Sequence, residues 1–328
     1  MKKWLLFAVL AIGLTVFASA CGTSGTGPAG GAAPAATSGG GTPAAANASD
    51  ELVFKHQLGE TKVKKNPKKV IVFDFGALDT LDKLGVEVAG VAQSNLPPYL
   101  AKYKDAKYQN IGTLQEPNYE KISSIKPDLI LISGRQQTAY PELSKLAPTL
   151  YVGVDNSKFV DSFKANMKML GQIFGKESAV DAELAKIDQA VKEVGDKAKA
   201  SGKNALVILA NEGAISAYGP GSRFGLIHDV LGITPVEKNI EVSTHGQSIS
   251  FEYIAQKNPD YLFVIDRTAA VGGEKAGAKA LVENELIKKT KAFTNGTIVY
   301  LDPSYWYLSG GGLVSAAEMI GEVAKGFK

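Results

Sequence analysis

Residues 126–135 have the sequence Lys-Pro-Asp-Leu-Ile-Leu-Ile-Ser-Gly-Arg, a short apolar run that ends in an arginine. The chain repeats this arrangement 132 positions later, where residues 258–267 are Asn-Pro-Asp-Tyr-Leu-Phe-Val-Ile-Asp-Arg. An apolar run without polar interruptions is typical of a strand that is buried on both faces of a parallel sheet. A helix-like segment with an early glutamate precedes each copy, at residues 119–122 and 251–254. The repeat therefore predicts two related α/β halves.

Strands and helices alternate on either side of these two runs. In the first half, residues 70–73 form another apolar run, and a helix predicted through Leu78, Leu81 and Leu84 stops at Gly85. The second half shows the same alternation, with a hairpin that looks inserted at residues 211–223. Its other predicted elements are strands at 206–209, 262–265 and 298–301 and a last helix at 313–327.

A long amphipathic helix is predicted between the two halves. Apolar residues recur there at spacings of three and four, which is typical of a helix with one buried face: Val180, Leu184, Ile187, Val191 and Val194. From residue 177 to residue 199 this helix would span about 35 Å at about 1.5 Å per residue. We therefore predict an α/β protein of two Rossmann-like lobes that a single long helix joins. The ligand cleft is expected between the lobes, beyond the carboxyl ends of their strands.

The predicted organisation has five segments. They are a signal peptide at 1–20, a lipid-anchored flexible linker at 21–50, an N-terminal lobe at 51–175, the linking helix at 176–200 and a C-terminal lobe at 201–328. Two lysines, an apolar stretch and Ala-Ser-Ala before residue 21 are typical of an export signal. Residues 22–49 carry no charge and consist almost wholly of Gly, Ala, Pro, Thr and Ser, which favours a flexible tether.

The single cysteine, Cys21, stands directly after the predicted cleavage site. A lone cysteine cannot form a disulfide within the chain, and its position resembles a bacterial lipobox, in which the cysteine receives lipid. Ala18 departs from that motif, which prefers a bulky aliphatic residue there. Plain secretion after cleavage at Ala20 is therefore the alternative. Lipidation of Cys21 would hold the protein at the outer face of the cell membrane.

Arginine is rare in this chain and occurs in one kind of place. Of 36 lysine and arginine residues, three are arginines, namely Arg135, Arg223 and Arg267. Two of them follow predicted strands, and the third lies in a glycine-rich turn. A guanidinium group is planar, permanently charged and donates hydrogen bonds as a fork. We therefore predict that the three arginines bind a planar anionic ligand, with ordinary ion pairing at three separate sites as the alternative.

Composition argues against several other classes of protein. The net charge is +3 with 33 acidic residues, and the mixed, lysine-rich charge favours a solvated surface over a nucleic-acid interface. Three dispersed histidines and one cysteine do not supply the ligands of a zinc, manganese or iron site. The sequence contains neither a P-loop nor a Gly-x-Ser-x-Gly nucleophile motif. We expect no cofactor, no metal bound by the protein itself and no nucleic-acid partner.

Three segments carry a resemblance to a known family. They are Asn-Pro-Lys-Lys-Val-Ile-Val-Phe-Asp-Phe-Gly at 66–76, Ser-Thr-His-Gly-Gln-Ser at 243–248 and Trp-Tyr-Leu-Ser-Gly-Gly-Gly at 306–312. Over residues 51–328 the chain resembles the substrate-binding lipoproteins of bacterial iron–siderophore importers, and above all the petrobactin-type lipoproteins of Gram-positive bacteria. The resemblance implies a class III periplasmic-binding-protein fold and a monomer that delivers a ferric siderophore to an ABC permease dimer.

The same resemblance implies roles for five residues. In that group of proteins three arginines from the two lobes hold the ferric catecholate, and Arg135, Arg223 and Arg267 match their positions. One glutamate in each lobe meets an arginine of a permease subunit, and Glu120 and Glu252 match those positions. The alternative for the glutamates needs no partner, because a carboxylate in the first turn of a helix is stabilised by the helix dipole.

Four further residues are predicted ligand contacts because of their neighbours in sequence. Trp306 precedes the glycine-rich start of the last helix, and Tyr218 precedes the turn of Arg223. His245 lies in a polar loop, and Gln136 follows Arg135 directly. For each of them a packing, capping or loop role is the alternative.

Two other functions remain open at this point. Within the binding class the ligand could be haem or a corrinoid, although these ligands favour axial ligands or a more aromatic slot over three arginines. In a different class, an extracellular siderophore esterase would need a serine beside a histidine and an acid. His245 with Ser243 or Ser248 is the candidate for that arrangement.

Overall fold

Two β-sheets, one in each half of the chain, form the centre of this computed structural model, which describes residues 50–272 and 277–327. The predicted signal peptide, Cys21 and nearly all of the predicted linker lie outside the described residues. An antiparallel hairpin of β1 (Glu51–His56) and β2 (Gly59–Lys64) begins the N-terminal lobe and precedes its sheet.

The sheet of the N-terminal lobe is parallel, in the order β5-β4-β3-β6-β7. Its strands are β3 (Val70–Val72), β4 (Gly90–Val91), β5 (Gln109–Asn110), β6 (Leu129–Ile132) and β7 (Thr149–Tyr151). The central strands β3 and β6 are buried along their whole length. The first apolar repeat therefore forms an interior strand, as predicted.

The sheet of the C-terminal lobe has the order β11-β9-β8-β12-β13, and β10 pairs with β8 as well. Its strands are β8 (Asn204–Asn211), β9 (Ala214–Tyr218), β10 (Thr234–Pro235), β11 (Gln247–Ile249), β12 (Tyr261–Asp266) and β13 (Ile298–Leu301). β8, β12 and β13 run parallel, whereas β9 turns back against β8. The predicted hairpin at 211–223 therefore supplies one strand, β9, and its partner is β8 itself.

Helices cover the faces of both sheets. They are α1 (Phe75–Lys83), α2 (Tyr119–Ile125), α3 (Tyr140–Leu146), α4 (Phe159–Phe174), α5 (Glu177–Ser201), α6 (Phe251–Lys257), α7 (Arg267–Ala270), α8 (Ala278–Val282), α9 (Lys291–Thr294) and α10 (Leu313–Gly326). Shorter 3₁₀ turns lie at Pro98–Lys104, Gly134–Ala139, Asn156–Lys158 and Ile287–Lys289, and single π-helical turns at Leu226–Val230 and Ser304–Ser309. Among the described helices none is both long enough and apolar enough to cross a membrane.

The Pro-Asp pair in each repeat fixes the start of a neighbouring strand. Oδ2 of Asp128 accepts hydrogen bonds from the backbone N–H groups of Lys68 and Lys69, each at 2.8 Å, just before β3. Asp260 does the same for β8, because its Oδ2 accepts from the N–H of Asn204 at 3.1 Å. Oδ1 of Asn204 accepts in return from the N–H of Asp260 at 2.9 Å. The repeated aspartates therefore set the register of adjacent strands.

One long helix, α5, joins the two lobes. It has 25 residues and buries Val180, Leu184, Ile187 and Val194 of the predicted stripe, whereas Val191 is half-buried. The chain takes a left-handed conformation on either side of α5, at Gly175 (φ 61°) and Gly202 (φ 62°), a conformation that glycine adopts without steric cost. These two glycines therefore limit the helix at both ends. This is the predicted architecture of two α/β lobes and one linking helix.

The last helix, α10, forms a second physical connection between the lobes. Its first turn packs on α1 of the N-terminal lobe, and its body packs along α5. At its other end the ring of Phe327 lies 4.8 Å from the ring of Tyr261 in the C-terminal lobe. One apolar cluster also runs without interruption from β3 of the first lobe through both helices to Val207 and Phe263 of the second. The lobes therefore share part of their core.

Gly312→Ala is expected to lower the free energy of unfolding by about 3 kcal/mol, because there is no room for a methyl group. A Cβ at Gly312 would meet Oδ1 of Asp79 and the carbonyl oxygen of Gly76, both of which are held by α1. Gly321→Ala, further along α10, meets nothing within 4 Å and is expected to stabilise the protein by about 0.5–1 kcal/mol. Urea unfolding of the two variants measures the contrast, and equal stability would contradict the close packing at Gly312.

Candidate ligand-binding cleft

A cavity of about 1070 Å³ opens between the lobes, beyond the ends of β3, β6 and β9. The N-terminal lobe supplies most of its wall, and the C-terminal lobe contributes Gly221, Arg223 and Thr244. The segment that connects β13 to α10 lines the cavity from residue 306 to residue 311. A cavity of this volume lies just above the range that is typical of small-molecule sites.

Arg135 lies three residues after the end of β6, in the 3₁₀ turn Gly134–Ala139, and is half-buried. Its Nη2 donates a hydrogen bond to the carbonyl oxygen of Tyr307 at 2.7 Å, and its Nη1 donates to that of Leu308 at 3.3 Å. Burial, together with the positive charge of Arg223, lowers the pKa of this guanidinium below its usual value. The group still keeps its charge at neutral pH, because an arginine remains protonated in proteins.

Arg223 reaches the same point from the other lobe. It lies in the turn that follows β9, and its Nη2 donates to the carbonyl oxygen of Tyr307 as well. Its guanidinium carbon lies 4.3 Å from the centre of the Tyr307 ring, a distance typical of a cation–π contact. One backbone carbonyl therefore accepts hydrogen bonds from the arginines of both lobes.

Arg267 is the first residue of α7 and follows β12 directly. Its Nε donates to the hydroxyl oxygen of Tyr307 at 2.9 Å, and its Nη1 donates to Oδ1 of Asn211 at 2.8 Å. Among the described residues Arg267 does not line the cavity itself. It reaches the cavity through Tyr307. The structure thus brings together the three arginines that the sequence singles out.

Tyr307 is the residue at which the three arginines meet, and sequence reasoning did not select it. The guanidinium carbons of Arg223, Arg267 and Arg135 lie 4.3, 5.8 and 5.9 Å from the centre of its ring. Burial raises the pKa of its phenol. The hydrogen bond from Arg267 and the positive charges of Arg223 and Arg267 lower this pKa by more than burial raises it, so the pKa of Tyr307 lies below its usual value. Tyr307 therefore holds the positive groups together inside the cleft.

Trp306, the neighbour that the sequence favoured, lies at the cavity wall but is 2% exposed. Its Nε1 donates to Oε2 of Glu322 at 2.8 Å, and its ring contacts Phe224 edge-on. The indole is therefore a packing group and does not present a free surface to a ligand. Adjacent side chains of a helical turn point in different directions, and the sequence Tyr-Trp-Tyr gives no sign of which one faces the cleft.

The structure corrects the predictions for Gln136 and Tyr218. Gln136 is 1% exposed: its Oε1 accepts from the backbone N–H of Ser133 at 3.1 Å, and its Nε2 donates to the carbonyl oxygen of Leu114. Tyr218 is 1% exposed and packs against Phe224 with 4.6 Å between ring centres. Neither side chain lines the cavity among the described residues. One is a capping residue and the other a core residue.

The other predicted residues are exposed. His245 lies in the loop between β10 and β11, next to Thr244 on the cavity rim, and its role as a ligand contact stays a prediction. Glu120 and Glu252 lie in the first turns of α2 and α6, at equivalent places in the two lobes. Both carboxylates are open to solvent. Within the described part of the chain no three His, Cys, Asp or Glu side chains are grouped so that they could hold a metal ion.

Comparison with known proteins identifies the family of this chain. Residues 70–305 match the family model described as periplasmic binding protein. The petrobactin-binding protein YclQ of Bacillus subtilis is 50% identical over the whole of both chains. The ferric-anguibactin-binding protein FatB of Vibrio anguillarum is 37% identical, over 84% of this chain and 88% of that protein.

Solved structures show the same relationship. The crystal structure of YclQ matches with a TM-score of 0.83 and 54% identity, over 85% of this chain and 99% of that one. The catecholate-siderophore binding protein VctP of Vibrio cholerae matches with a TM-score of 0.81 and 34% identity, over 84% and 99%. The predicted fold is thus confirmed as the class III arrangement of two α/β lobes around one long helix. The chain belongs to the periplasmic binding protein family, among relatives that bind ferric siderophores for ABC iron importers.

Proposed function

We propose that this protein captures a ferric catecholate-type siderophore, of the petrobactin kind, outside the cell and delivers it to an ABC permease. The observation that carries this proposal is the convergence of Arg135, Arg223 and Arg267, from both lobes, around one residue of the cleft. The names of the relatives support the same ligand class.

The chemistry of the ligand fits the chemistry of the cleft. A siderophore encloses iron in its own oxygen atoms, so the protein meets an anionic complex with flat aromatic edges. Arginine can donate to catecholate oxygens and stack on an aromatic ring at once. Hydrogen bonds to a charged group contribute about 1.5–3 kcal/mol each. Several of them in a partly dry cleft account for a large part of a nanomolar affinity, before the cost of immobilising the ligand.

Hydrogen bonds within the protein hold the proposed donors of the cleft in place. Arg135 and Arg223 donate to the backbone carbonyl of Tyr307, and this neutral acceptor holds the guanidinium groups close to one another despite their like charge. A catecholate is a stronger acceptor than a neutral carbonyl, because hydrogen bonds between ionised groups are the strong ones. Binding would therefore exchange weak internal bonds for stronger ones to the ligand.

Delivery completes the proposed role. Lipidation of Cys21 would tether the protein to the outer face of the membrane through the linker, and the protein would act as a monomer on a permease dimer. Glu120 and Glu252, exposed at matching places on the two lobes, would each meet a positive group of one permease subunit. The pseudo-symmetric placement of the two carboxylates suits a partner with a two-fold axis.

Among the residues that the structure describes, no contact favours the esterase alternative. Oγ of Ser243 donates to the carbonyl oxygen of Gly246 at 3.0 Å, and His245 is exposed beside it. A nucleophilic serine requires a base within hydrogen-bond reach instead.

Titration of the mature protein with ferric complexes tests the proposed ligand class. Trp306 is the sole tryptophan after the predicted signal peptide and adjoins Tyr307, so its emission reports on ligand in the cleft. We expect saturable quenching, with a dissociation constant in the nanomolar range, by a catecholate–citrate complex and a tris-catecholate, and none by a hydroxamate or haem. A preference for hydroxamate or haem would discard the account of the arginines.

A further inference from the structure

A buried carboxylate lies at the contact between α1 and α10. Asp79 of α1 is fully buried, and α10 belongs to the other half of the sequence. Oδ1 of Asp79 accepts from the backbone N–H of Val314 at 3.2 Å, and Oδ2 accepts from that of Ser315 at 3.1 Å. The hydroxyl of the next residue, Thr80, accepts from the N–H of Leu313 at 3.0 Å. Two side chains of the N-terminal lobe therefore cap the first turn of α10.

A chain of hydroxyl groups extends from this carboxylate to the turn that carries Tyr307. The hydroxyl of Tyr99, in the N-terminal lobe, lies 3.1 Å from Oδ2 of Asp79 and 2.7 Å from Oγ of Ser309. Oγ of Ser309 in turn donates to the carbonyl oxygen of Ser304 at 3.0 Å. The ring of Tyr99 also packs on the ring of Tyr305 at 4.8 Å. Both ends of the π-helical turn Ser304–Ser309 are thus tied to Tyr99.

The contact leaves little freedom for movement. A Cβ at Gly76 would lie 2.8 Å from the backbone nitrogen of Gly312 and 2.9 Å from the carbonyl oxygen of Ser309, so α1 touches the backbone of the other segment directly. Arg135 donates hydrogen bonds to the backbone carbonyl oxygens of Tyr307 and Leu308, and both lie within the turn Ser304–Ser309. Whatever fixes this turn also fixes the point at which the arginines meet.

We infer that Asp79 and Tyr99 are positioning residues for the ligand cleft: they hold the turn Ser304–Ser309 and the start of α10, and thereby set the place of Tyr307 among the three arginines. They act through Tyr307 and the arginines and touch no ligand themselves. The inference rests on the proposed function for its effect on affinity, but not for its effect on the turn.

The hydrogen-bond chain has two states. The hydroxyl of Tyr99 carries one hydrogen and can donate either to Asp79 or to Ser309, but not to both. Ionised Asp79 is the stronger acceptor and takes this hydrogen. When Asp79 is protonated, it can donate to Tyr99, which then donates to Ser309. Protonation would therefore reverse the bond that reaches the turn.

The surroundings of Asp79 place this change near neutral pH. Burial raises the pKa of its carboxyl to about 7, against the hydrogen bonds from Ser315, Val314 and Tyr99, which lower it. The titratable groups that face it are Tyr99 and, beyond it, Tyr305, whose pKa values burial raises. Among the described residues no lysine, arginine or histidine forms an ion pair with Asp79.

The first test uses the ligand-free protein, in which Trp306 lies within the turn. We expect its emission to change with a midpoint near pH 7, and Asp79→Asn to abolish that change. Asp82→Asn, on the same helix but ion-paired with Lys102 at the surface, keeps it. Glu322→Gln keeps it as well, which separates Asp79 from the carboxylate that accepts from the indole. Loss of the change in Glu322→Gln and its survival in Asp79→Asn would overturn the inference.

The second test measures affinity for a ferric catecholate–citrate complex. At about pH 8 we expect Asp79→Asn and Tyr99→Phe to bind about fivefold more weakly than the wild type, as for one lost hydrogen bond. At about pH 6 Asp79→Asn and the wild type should bind alike, because both side chains are then neutral. Tyr99→Phe removes a single hydroxyl and covers the case in which Asp79→Asn does not fold.

The outcomes separate the two proposals. A wild-type protein that binds no ferric catecholate overturns the proposed ligand, whatever the emission shows. A wild type that binds, with Asp79→Asn and Tyr99→Phe of unchanged affinity at about pH 8, overturns the positioning role. An equal loss of affinity at both pH values in Asp79→Asn would also contradict it, because a merely structural defect does not follow the charge of the carboxyl.

Discussion

Arg135→Ala and Arg223→Ala are each expected to weaken binding of a ferric catecholate by about ten- to hundredfold. These two side chains line the cavity from opposite lobes and donate to the same point, so each supplies a charge-assisted bond that the other cannot replace. One such bond corresponds to about 1.5–3 kcal/mol, and tenfold in affinity to about 1.4 kcal/mol. Arg267→Ala is expected to lose at least about tenfold, because Arg267 reaches the cleft through Tyr307. Calorimetric titration measures all three.

Lysine variants at the same positions separate charge from geometry. A lysine keeps the positive charge but lacks the planar fork, so each Arg→Lys variant should bind between the wild type and the Ala variant. Thermal unfolding of the ligand-free variants serves as the control for folding. Unchanged affinity in all three Ala variants would show that the arginines do not form the site.

The double variant Glu120→Ala with Glu252→Ala is expected to bind the ferric siderophore normally and to lose uptake. Both carboxylates are exposed, in the first turns of α2 and α6, so their removal leaves the core and the cleft intact. If docking buries the two carboxylates, truncating one partner of a buried, hydrogen-bonded charge pair costs about 2–5 kcal/mol. Two such losses would bring iron uptake to background in cells that carry this protein as their sole receptor for the complex.

A matched double variant tests whether position or charge matters. Glu142 of the N-terminal lobe and Glu285 of the C-terminal lobe are exposed too, and each pairs with a lysine three residues on, Lys145 and Lys288. Their replacement by Ala removes the same net charge but should leave uptake unchanged. Normal uptake by the Glu120 and Glu252 double variant would contradict the docking role, and equal loss in both doubles would point to general charge.

Much of the fold follows from short-range patterns in the sequence. The apolar runs at 129–132 and 262–265 are buried strands, and the stripe from Val180 to Val194 lies on one long helix. The arginines could be found because a lysine-rich chain keeps so few of them. Each of these patterns is made by residues close to one another in sequence, and over such distances periodicity and composition predict local structure.

The site predictions that the structure corrects depend on contacts or details that short-range sequence patterns do not capture. The capping role of Gln136 has a local signal in the sequence, because Ser133 and Gln136 have the spacing of a capping box. The choice between Trp306 and Tyr307 depends on how one helical turn is oriented against the rest of the protein. The pairing of Asp79 with Val314 and Ser315 joins residues more than 230 positions apart, and no local pattern predicts it.

The shared core and the second connection through α10 have a mechanical consequence. Two lobes joined by a single helix can twist and bend in several directions relative to each other, whereas a second connection prevents some of these movements. Here α5 is one connection and α10 is the other. The start of α10 is hydrogen-bonded to α1, and the ring of Phe327 at its end packs on Tyr261. The two connections together restrict the relative movement of the lobes. We therefore expect the distance between Glu120 and Glu252, the proposed docking residues, to vary little.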